Sequence, residues 1–282
     1  MKPADSDQHF GASVAKLYEQ YLVPLIFEPY ANDLANRLAS RRLGCVLEIA
    51  AGTGVATRAL SSTLPAGASL VATDLNQPML IEAAARGTRR PVEWRQADAS
   101  SLPFDAASFD AVVCQFGVMF FPDRSRAYAE AFRVLKPGGV LIFSTWDRIA
   151  DNEFANVVTA SLESVFPSDP PRFMARTPHG YYDCDTICRD LVAGGFAGAP
   201  RIVTVGARSR AESARIPAVA YCQGTPLRNE IDARDAARLD EATQVATEAV
   251  ARRFGRGPVD GKIQALVVTV AKPSNLTRMS RA

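Results

Sequence analysis

Histidine is scarce in this 282-residue chain, with two in all, and cysteine nearly so, with five. The thiols at positions 45, 114, 184, 188 and 222 form an odd set with no C-x-x-C pair, which argues against a disulfide framework and against a zinc site. Charge of either sign is not in surplus. Thirty-two Lys and Arg against thirty Asp and Glu leave +2, too little to gather a polyanion such as nucleic acid or to hold the chain on a membrane surface. Long apolar runs are missing too, since the windows Leu22 to Phe27 and Ala111 to Phe121 fall short of the roughly 18 residues that a bilayer span requires. The opening residues Met1 to Phe10 carry Asp5 and Asp7 and lack the basic start and apolar middle of a secretory signal, so a cytoplasmic protein is expected. There is no repeat and no low-complexity tract.

What the chain does have is alternation. The runs Cys45 to Ala50, Ser69 to Asp74, Val92 to Gln96, Asp110 to Phe116 and Val140 to Trp146 each have the pattern of a strand mostly buried on both faces. Helical stretches fall between them: Thr53 to Leu64, Gln77 to Arg86 behind Asn76 as N-cap, and Asp123 to Leu135, which ends in the turn Lys136-Pro137-Gly138-Gly139. Strands alternating with helices of this length predict a parallel sheet covered on both faces, a doubly wound α/β fold. The segment Ser13 to Ser40 is helical in pattern but interrupted by Pro24 and Pro29. Beyond Asp147 the pattern predicts helices at Glu153 to Val165 and Asp183 to Ala193, and a strand near Arg201 to Val205. Residues 209–256 read as helices, with Ile231 to Phe254 amphipathic through Leu239, Val245, Ala249 and Val250, before a closing strand from Ala265 to Ala271.

The chemistry concentrates where a strand ends in an acid and a small-residue loop opens a helix, at Glu48-Ile49-Ala50-Ala51-Gly52-Thr53-Gly54. Glycine at 52 and 54 permits tight turning and close backbone approach by a ligand. Asp74 ends the next strand, where a carboxylate can accept hydrogen bonds from both hydroxyls of a ribose. Asp98 follows the third. Three consecutive strands thus deliver three acids to one carboxyl edge, where open α/β sheets bind ligands. Asp74 lies 20 residues after Gly54, which would also suit NAD, but Thr57 stands where a dinucleotide fold places its third glycine.

Taken together, E-x-A-x-G-T-G at 48–54, Asp74, the stretch Gln96 to Phe104 with Phe109-Asp110, and Val134 to Gly139 resemble the class I S-adenosylmethionine-dependent methyltransferases, nearest the small-molecule branch of ubiquinone and menaquinone biosynthesis. The resemblance implies a Rossmann-like doubly wound seven-stranded sheet with helices on both faces and an added helical cap. It implies S-adenosyl-L-methionine as cofactor and S-adenosyl-L-homocysteine as product. Glu48 and the loop at Ala50, Gly52, Thr53 and Gly54 would hold the methionine part, Asp74 the ribose, and Asp98 with Ala99 the adenine, flanked by Leu75 and Met79. Ala50 stands where the family often has glycine, a replacement that calls for a negative φ. Tyr18 matches a tyrosine that relatives use at the methionine end, and Gln115, Phe116 and Gly117 end the fourth strand beside the methyl group.

On this reading residues 1–282 form a single domain: a helical lid over 1–42, a cofactor-binding core over 43–150, further helices and strands over 151–271 with a cap insertion near 209–256, and a tail over 272–282. The partner is a small-molecule methyl acceptor, and the protein is a monomer or homodimer. The catalytic base has three candidates, His9, Tyr18 and His179, each of which also suits a surface or packing role. His179, Tyr181 and Tyr182 are the substrate candidates, with acceptor selectivity expected in residues 167–182 and 209–256. An enzyme using the cofactor without methyl transfer, a silent cofactor-binding module and an NAD oxidoreductase are the rival readings.

Overall fold

A computed structural model describes Asp7 and residues 12–274. Strands β1 (Cys45–Ile49), β2 (Ser69–Asp74), β3 (Glu93–Gln96), β4 (Phe109–Gln115), β5 (Leu135–Trp146), β6 (Arg201–Ala211) and β7 (Val259–Ala271) form a sheet in the order β3-β2-β1-β4-β5-β7-β6. The first five are parallel, and β7 runs antiparallel to both β5 and β6. Helix α1 (Ala12–Leu17), a π-helical stretch over Tyr18–Phe27 and α2 (Glu28–Ala39) precede β1. Crossovers α3 (Val55–Thr63), α4 (Gln77–Arg86) and α5 (Arg124–Val134) follow β1, β2 and β4. Helices α6 (Glu153–Ser161), α7 (Phe173–Arg176) and α8 (Cys184–Ala193) lead to β6, and α9 (Arg215–Gln223), α10 (Leu227–Asp235) and α11 (Leu239–Phe254) separate β6 from β7.

Alternation along each central strand divides the core into two layers. Val46, Ala111, Val113, Val140 and Ile142 pack with Leu34 and Leu38 of α2 and Leu60 of α3. Their neighbours Leu47, Val112, Cys114, Leu141 and Phe143 pack with Tyr128 and Ala131 of α5 and Ile187 and Leu191 of α8. Helices therefore cover both faces, and the strand order reverses between β2-β1 and β1-β4, which opens a crevice at the carboxyl edge. Among the described residues no helix is long and apolar enough to cross a membrane.

Several sequence expectations need correction. The chain stays helical through Pro24 and Pro29. Pro29 occupies the first turn of α2, where its missing N–H costs nothing, and Pro24 lies inside the π stretch, whose wider i to i+5 winding draws the backbone away from the ring. β3 is not a buried strand: as the sheet's edge it is mostly exposed. Lys136 to Gly139 is no separate turn but an irregularity carried inside β5, where Gly138 N–H donates to Lys272 O and Lys272 N–H to Gly139 O. The amphipathic stretch Ile231 to Phe254 is broken after α10, where Asp235 caps a short 3₁₀ turn. α11 buries Ala242, Thr243, Ala246 and Val250; of the expected stripe Val250 is thus buried, while Leu239 and Val245 pack half-buried against the core and Ala249 is also half-buried. β6 and β7 are longer than expected, reaching Ala211 and starting at Val259, because they pair with each other along their whole lengths.

Asp110 locks the start of the central strands together. Its Oδ2 accepts from the amides of Gly44 (2.9 Å) and Cys45 (2.8 Å) at the head of β1, and its Oδ1 meets Lys136 Nζ of β5 at 2.9 Å. Asp110→Ala strands two amides, and we expect about 1.5–3 kcal/mol of lost stability in urea unfolding, as for hydrogen bonds to a charged acceptor. Asp110→Asn, which keeps one acceptor oxygen, should lose less.

Candidate active site

The cleft is built from the loop after β1. Glu48 is fully buried in that strand, and Thr57, in the first turn of α3, donates its hydroxyl to Glu48 Oε2 at 2.6 Å. Thr57 thus has a use where a dinucleotide fold would have glycine. Burial pushes the Glu48 carboxyl up to about 8, against smaller opposing effects from the Thr57 bond and the Arg58 charge. Beyond it Ala50 lies at φ +54°, not at the expected negative φ, because the chain must reverse sharply for Ala51 N–H to reach Thr73 O of β2 at 2.9 Å. A left-handed alanine costs roughly 1–2 kcal/mol. Phe116, at the end of β4, has the same strain at φ +52°. The two loops meet at Gly117, where an added Cβ would stand 2.5 Å from Ala50 Cβ and 2.7 Å from Cys114 Sγ.

Asp74 is buried at the end of β2. Its Oδ2 accepts from Gly52 N–H and its Oδ1 from Asn76 N–H, both at 2.8 Å. Burial raises its pKa, and these amide bonds oppose the rise. Asp98 is exposed and accepts from Ser100 N–H at 2.7 Å. From the N-terminal helix Tyr18 enters the cleft, its ring stacked on Phe27 with centroids 5.0 Å apart. Next to it Glu19 takes Arg58 Nη2 at 2.8 Å, and Arg58 Nη1 donates to Thr53 O at 2.7 Å, so one guanidinium ties the N-terminal helix to the glycine loop.

These elements surround about 920 Å³ of empty space, open mouth included. Of the residues singled out from sequence, Tyr18, Glu48, Ala50, Gly52, Asp74, Leu75, Met79, Asp98, Ala99, Gln115, Phe116 and Gly117 line it. Thr53 and Gly54 do not. Thr53 is buried, and Gly54, at φ +81°, opens α3 with no room for a side chain between Ala83 and Trp94. Sequence reasoning missed Asn76, which holds Asp74, and the wall Phe120-Phe121-Pro122; the signal available was the aromatic pair and proline directly after β4.

The acceptor-side expectations fare differently. His9 lies outside the described residues. His179 is buried away from the cleft, its Nδ1–H donating to Asp147 O at 2.8 Å and its ring 5.9 Å from that of Trp146. Burial pulls it down to about 4, so it is neutral near pH 7. Tyr181 is a core residue: its hydroxyl donates to Asp190 Oδ2 at 2.9 Å beside Tyr128, with the Arg124 guanidinium 4.2 Å from its ring centroid. Tyr182 is exposed and does not line the cleft. Nor does any described residue of 167–182 or 209–256, because α9 packs outside the N-terminal π stretch and α11 against α6 and α9. The cap is an outer layer. Behind the cleft Phe116 stacks on Trp146, centroids 3.9 Å apart and planes within 8°.

The buried acids give a pH signature. Free Glu48 keeps its proton up to about pH 8, whereas in the unfolded chain it ionises near its ordinary 4.5. The folded state binds the extra proton across that window, so stability falls as pH rises. His179 works in the opposite sense, but only between its folded value of about 4 and its ordinary 6.5. We therefore expect the Tm of the ligand-free protein to fall from pH 6.5 to pH 8, and Glu48→Gln to flatten that fall in a pH-resolved thermal scan.

Comparison with known proteins agrees with this geometry. Residues 47–143 match the family model described as a methyltransferase domain. The demethylmenaquinone methyltransferase of Thermus thermophilus is 37% identical over 139 residues, which are 49% of this chain and 61% of that protein, so the chain spans under two thirds of that relative's length. The demethylmenaquinone methyltransferase of Clavibacter sepedonicus is 35% identical over 183 residues, 59% of this chain and 73% of that one. In fold, the YcgJ protein of Bacillus subtilis matches 88% of this chain and all of its own at a TM-score of 0.56 and 20% identity. On its sequence match, strand order and acid-lined cleft, the chain belongs to the class I S-adenosylmethionine-dependent methyltransferases, of the ubiquinone and menaquinone biosynthesis type.

Proposed function

We propose that the protein transfers a methyl group from S-adenosyl-L-methionine to a small or amphiphilic acceptor and releases S-adenosyl-L-homocysteine. The observation that carries this reading is the convergence of Glu48, Asp74 and Asp98, from three successive strands, on one cleft. The residues fit the cofactor. Asp74 Oδ2 accepts from Gly52 N–H, which leaves it a lone pair for a ribose hydroxyl, while Oδ1 accepts from Asn76 N–H and, at 3.4 Å, from Asn76 Nδ2, a long bond that a second hydroxyl can replace. Glu48, protonated while the cleft is free, gives up its proton as the ammonium of the methionine part arrives to pair with it, and Leu75, Met79 and Ala99 offer apolar surface to the adenine beside Asp98. Relatives named for demethylmenaquinone support a small amphiphilic acceptor.

When bound, the cofactor supplies an electrophilic methyl group on a sulfonium. The chain's part is alignment and exclusion of water: Tyr18, Phe116 and Phe121 wall the cleft, and no described histidine lines it. Burial holds the Tyr18 phenol far above its ordinary value, so it serves as a neutral wall and hydrogen-bonding group. Of the lid over 1–42 in this reading, the described part from Ala12 onward is held down by the Arg58–Glu19 pair and by Gln115 Nε2 donating to Phe27 O at 3.1 Å. The protein works as one domain, as a monomer or homodimer in the cytoplasm, where its five free thiols stay reduced.

Calorimetry tests the cofactor directly. S-adenosyl-L-methionine and S-adenosyl-L-homocysteine should bind and NAD should not. Asp74→Ala should weaken both by about 10- to 100-fold, the equivalent of about 1.5–3 kcal/mol for hydrogen bonds to an ionised acceptor. Tighter binding of NAD, or an Asp74→Ala variant with unchanged affinity, would sink the assignment.

A further inference from the structure

We infer that Arg126, Glu130 and Arg133 of α5 are positioning residues for the adenine end of the cleft: they fix the loop that carries Asp98 and Ala99, and through it they set a preference for a 6-amino purine. The inference rests on the methyltransferase reading, which seats the adenine beside Asp98. Between β3 and β4 residues 97–108 contain no helix and no strand, only an isolated bridge from Asp98 to Ser101. Asp98 and Ala99 nevertheless line the cleft, so something must hold them there.

The ends of the loop are tied by the backbone: Ala97 N–H donates to Asp74 O at 3.0 Å and Ser108 N–H to Val134 O at 2.8 Å. Its middle is held from α5. Positions 126, 130 and 133 are spaced by four and three, which puts them on one face of that helix. Arg126 Nε donates to Ser100 O at 3.0 Å, and Glu130 Oε2 accepts from Leu102 N–H at 2.8 Å. Arg133 donates from Nη2 to Leu102 O at 2.9 Å and from Nη1 to Phe104 O at 2.7 Å. Glu130 and Arg133 also meet each other in two bonds, at 2.7 and 2.8 Å. An ion pair on a helix surface contributes little by itself. This one takes both the N–H and the C=O of Leu102, as a neighbouring strand would, and its bidentate geometry keeps the two side chains from wandering. From Leu102, which is buried, the grip passes back to the acid: Ser101 N–H donates to Asp98 O at 3.0 Å and Ser100 N–H to Asp98 Oδ1 at 2.7 Å.

A fixed acid matters for what it refuses. Adenine carries an amino group at its 6-position, a donor that a carboxylate accepts, whereas hypoxanthine carries a carbonyl oxygen there, which a carboxylate held in place repels. A loose loop lets the acid swing out to water, and the discrimination is lost.

The test compares S-adenosyl-L-homocysteine with S-inosyl-L-homocysteine by calorimetry. The wild type should bind the amino compound about tenfold or more tightly. Glu130→Ala, checked for folding by circular dichroism, should weaken S-adenosyl-L-homocysteine about tenfold and bring the two ligands within about threefold of each other. Where Glu130→Ala does not fold, Arg126→Ala, which removes only an exposed bond to Ser100, carries the test and should cut the preference at least threefold. Equal binding by the wild type overturns the inference, as does a folded variant that keeps the full preference. It is also overturned if the variant loses both ligands in the same proportion, since the pair then serves only the fold. If S-adenosyl-L-homocysteine does not bind the wild type at all, the methyltransferase reading falls and takes this inference with it; with that binding intact, only the role of α5 is at stake.

Discussion

Glu48 and Asp74 are held out of water on adjacent strands, with a threonine hydroxyl and two backbone amides as their nearest donors. Removing a carboxylate from water is expensive unless it is protonated or paired, and both groups are pushed toward the protonated form by burial. Much of the surrounding structure answers that cost. Thr57 opens α3 at the one place from which its hydroxyl reaches Glu48. Gly52, in the left-handed region at φ +55°, turns its N–H toward Asp74. Backbone strain at Ala50 and Phe116 is accepted because the same two loops, in contact at Gly117, shape the floor of the cleft.

The N-terminal helix belongs to this arrangement as much as the sheet does. Arg58 bonds both the glycine loop and Glu19, and Gln115 bonds the last carbonyl of the π stretch. Tyr18 and Phe27 then complete an aromatic cluster with Tyr30, Phe116 and Trp146. The helices between β6 and β7 stand apart from the cleft; they thicken the molecule around the sheet's antiparallel edge.

The central sheet and its acids were legible in the sequence because buried parallel strands leave unbroken apolar runs, and because one strand-helix unit spaces each acid from the next. Other features had no such signal. Proline normally announces a helix break, so a helix that widens into a π winding across Pro24 escapes a reading based on the α register. Left-handed backbone is anticipated at glycine, not at Ala50 or Phe116. Tyr181 looked like pocket material because an aromatic near a proline-rich loop suits either a site or a core, and only the tertiary contact with Tyr128 and Asp190 decides between them. The buried face of α11 was only partly legible for a similar reason: Val250 is buried and Leu239 and Val245 reach the core, but the centre of the contact is Ala242 and Ala246, small residues whose role depends on close packing against neighbouring helices.

The stacking of Phe116 on Trp146 has an optical consequence. The chain has two tryptophans, and neither lines the cleft: Trp146 lies behind the β4 wall, in face contact with a ring that does, and Trp94 lies on the edge strand, near the glycine that opens α3. Their indoles sit in different media, Trp146 buried and Trp94 half-exposed, so their emission separates by wavelength. A molecule pressing on Phe116 changes the surroundings of the shorter-wavelength component. The protein thus contains one native fluorophore, Trp146, a single ring removed from its cleft, and a second, Trp94, outside the cleft wall.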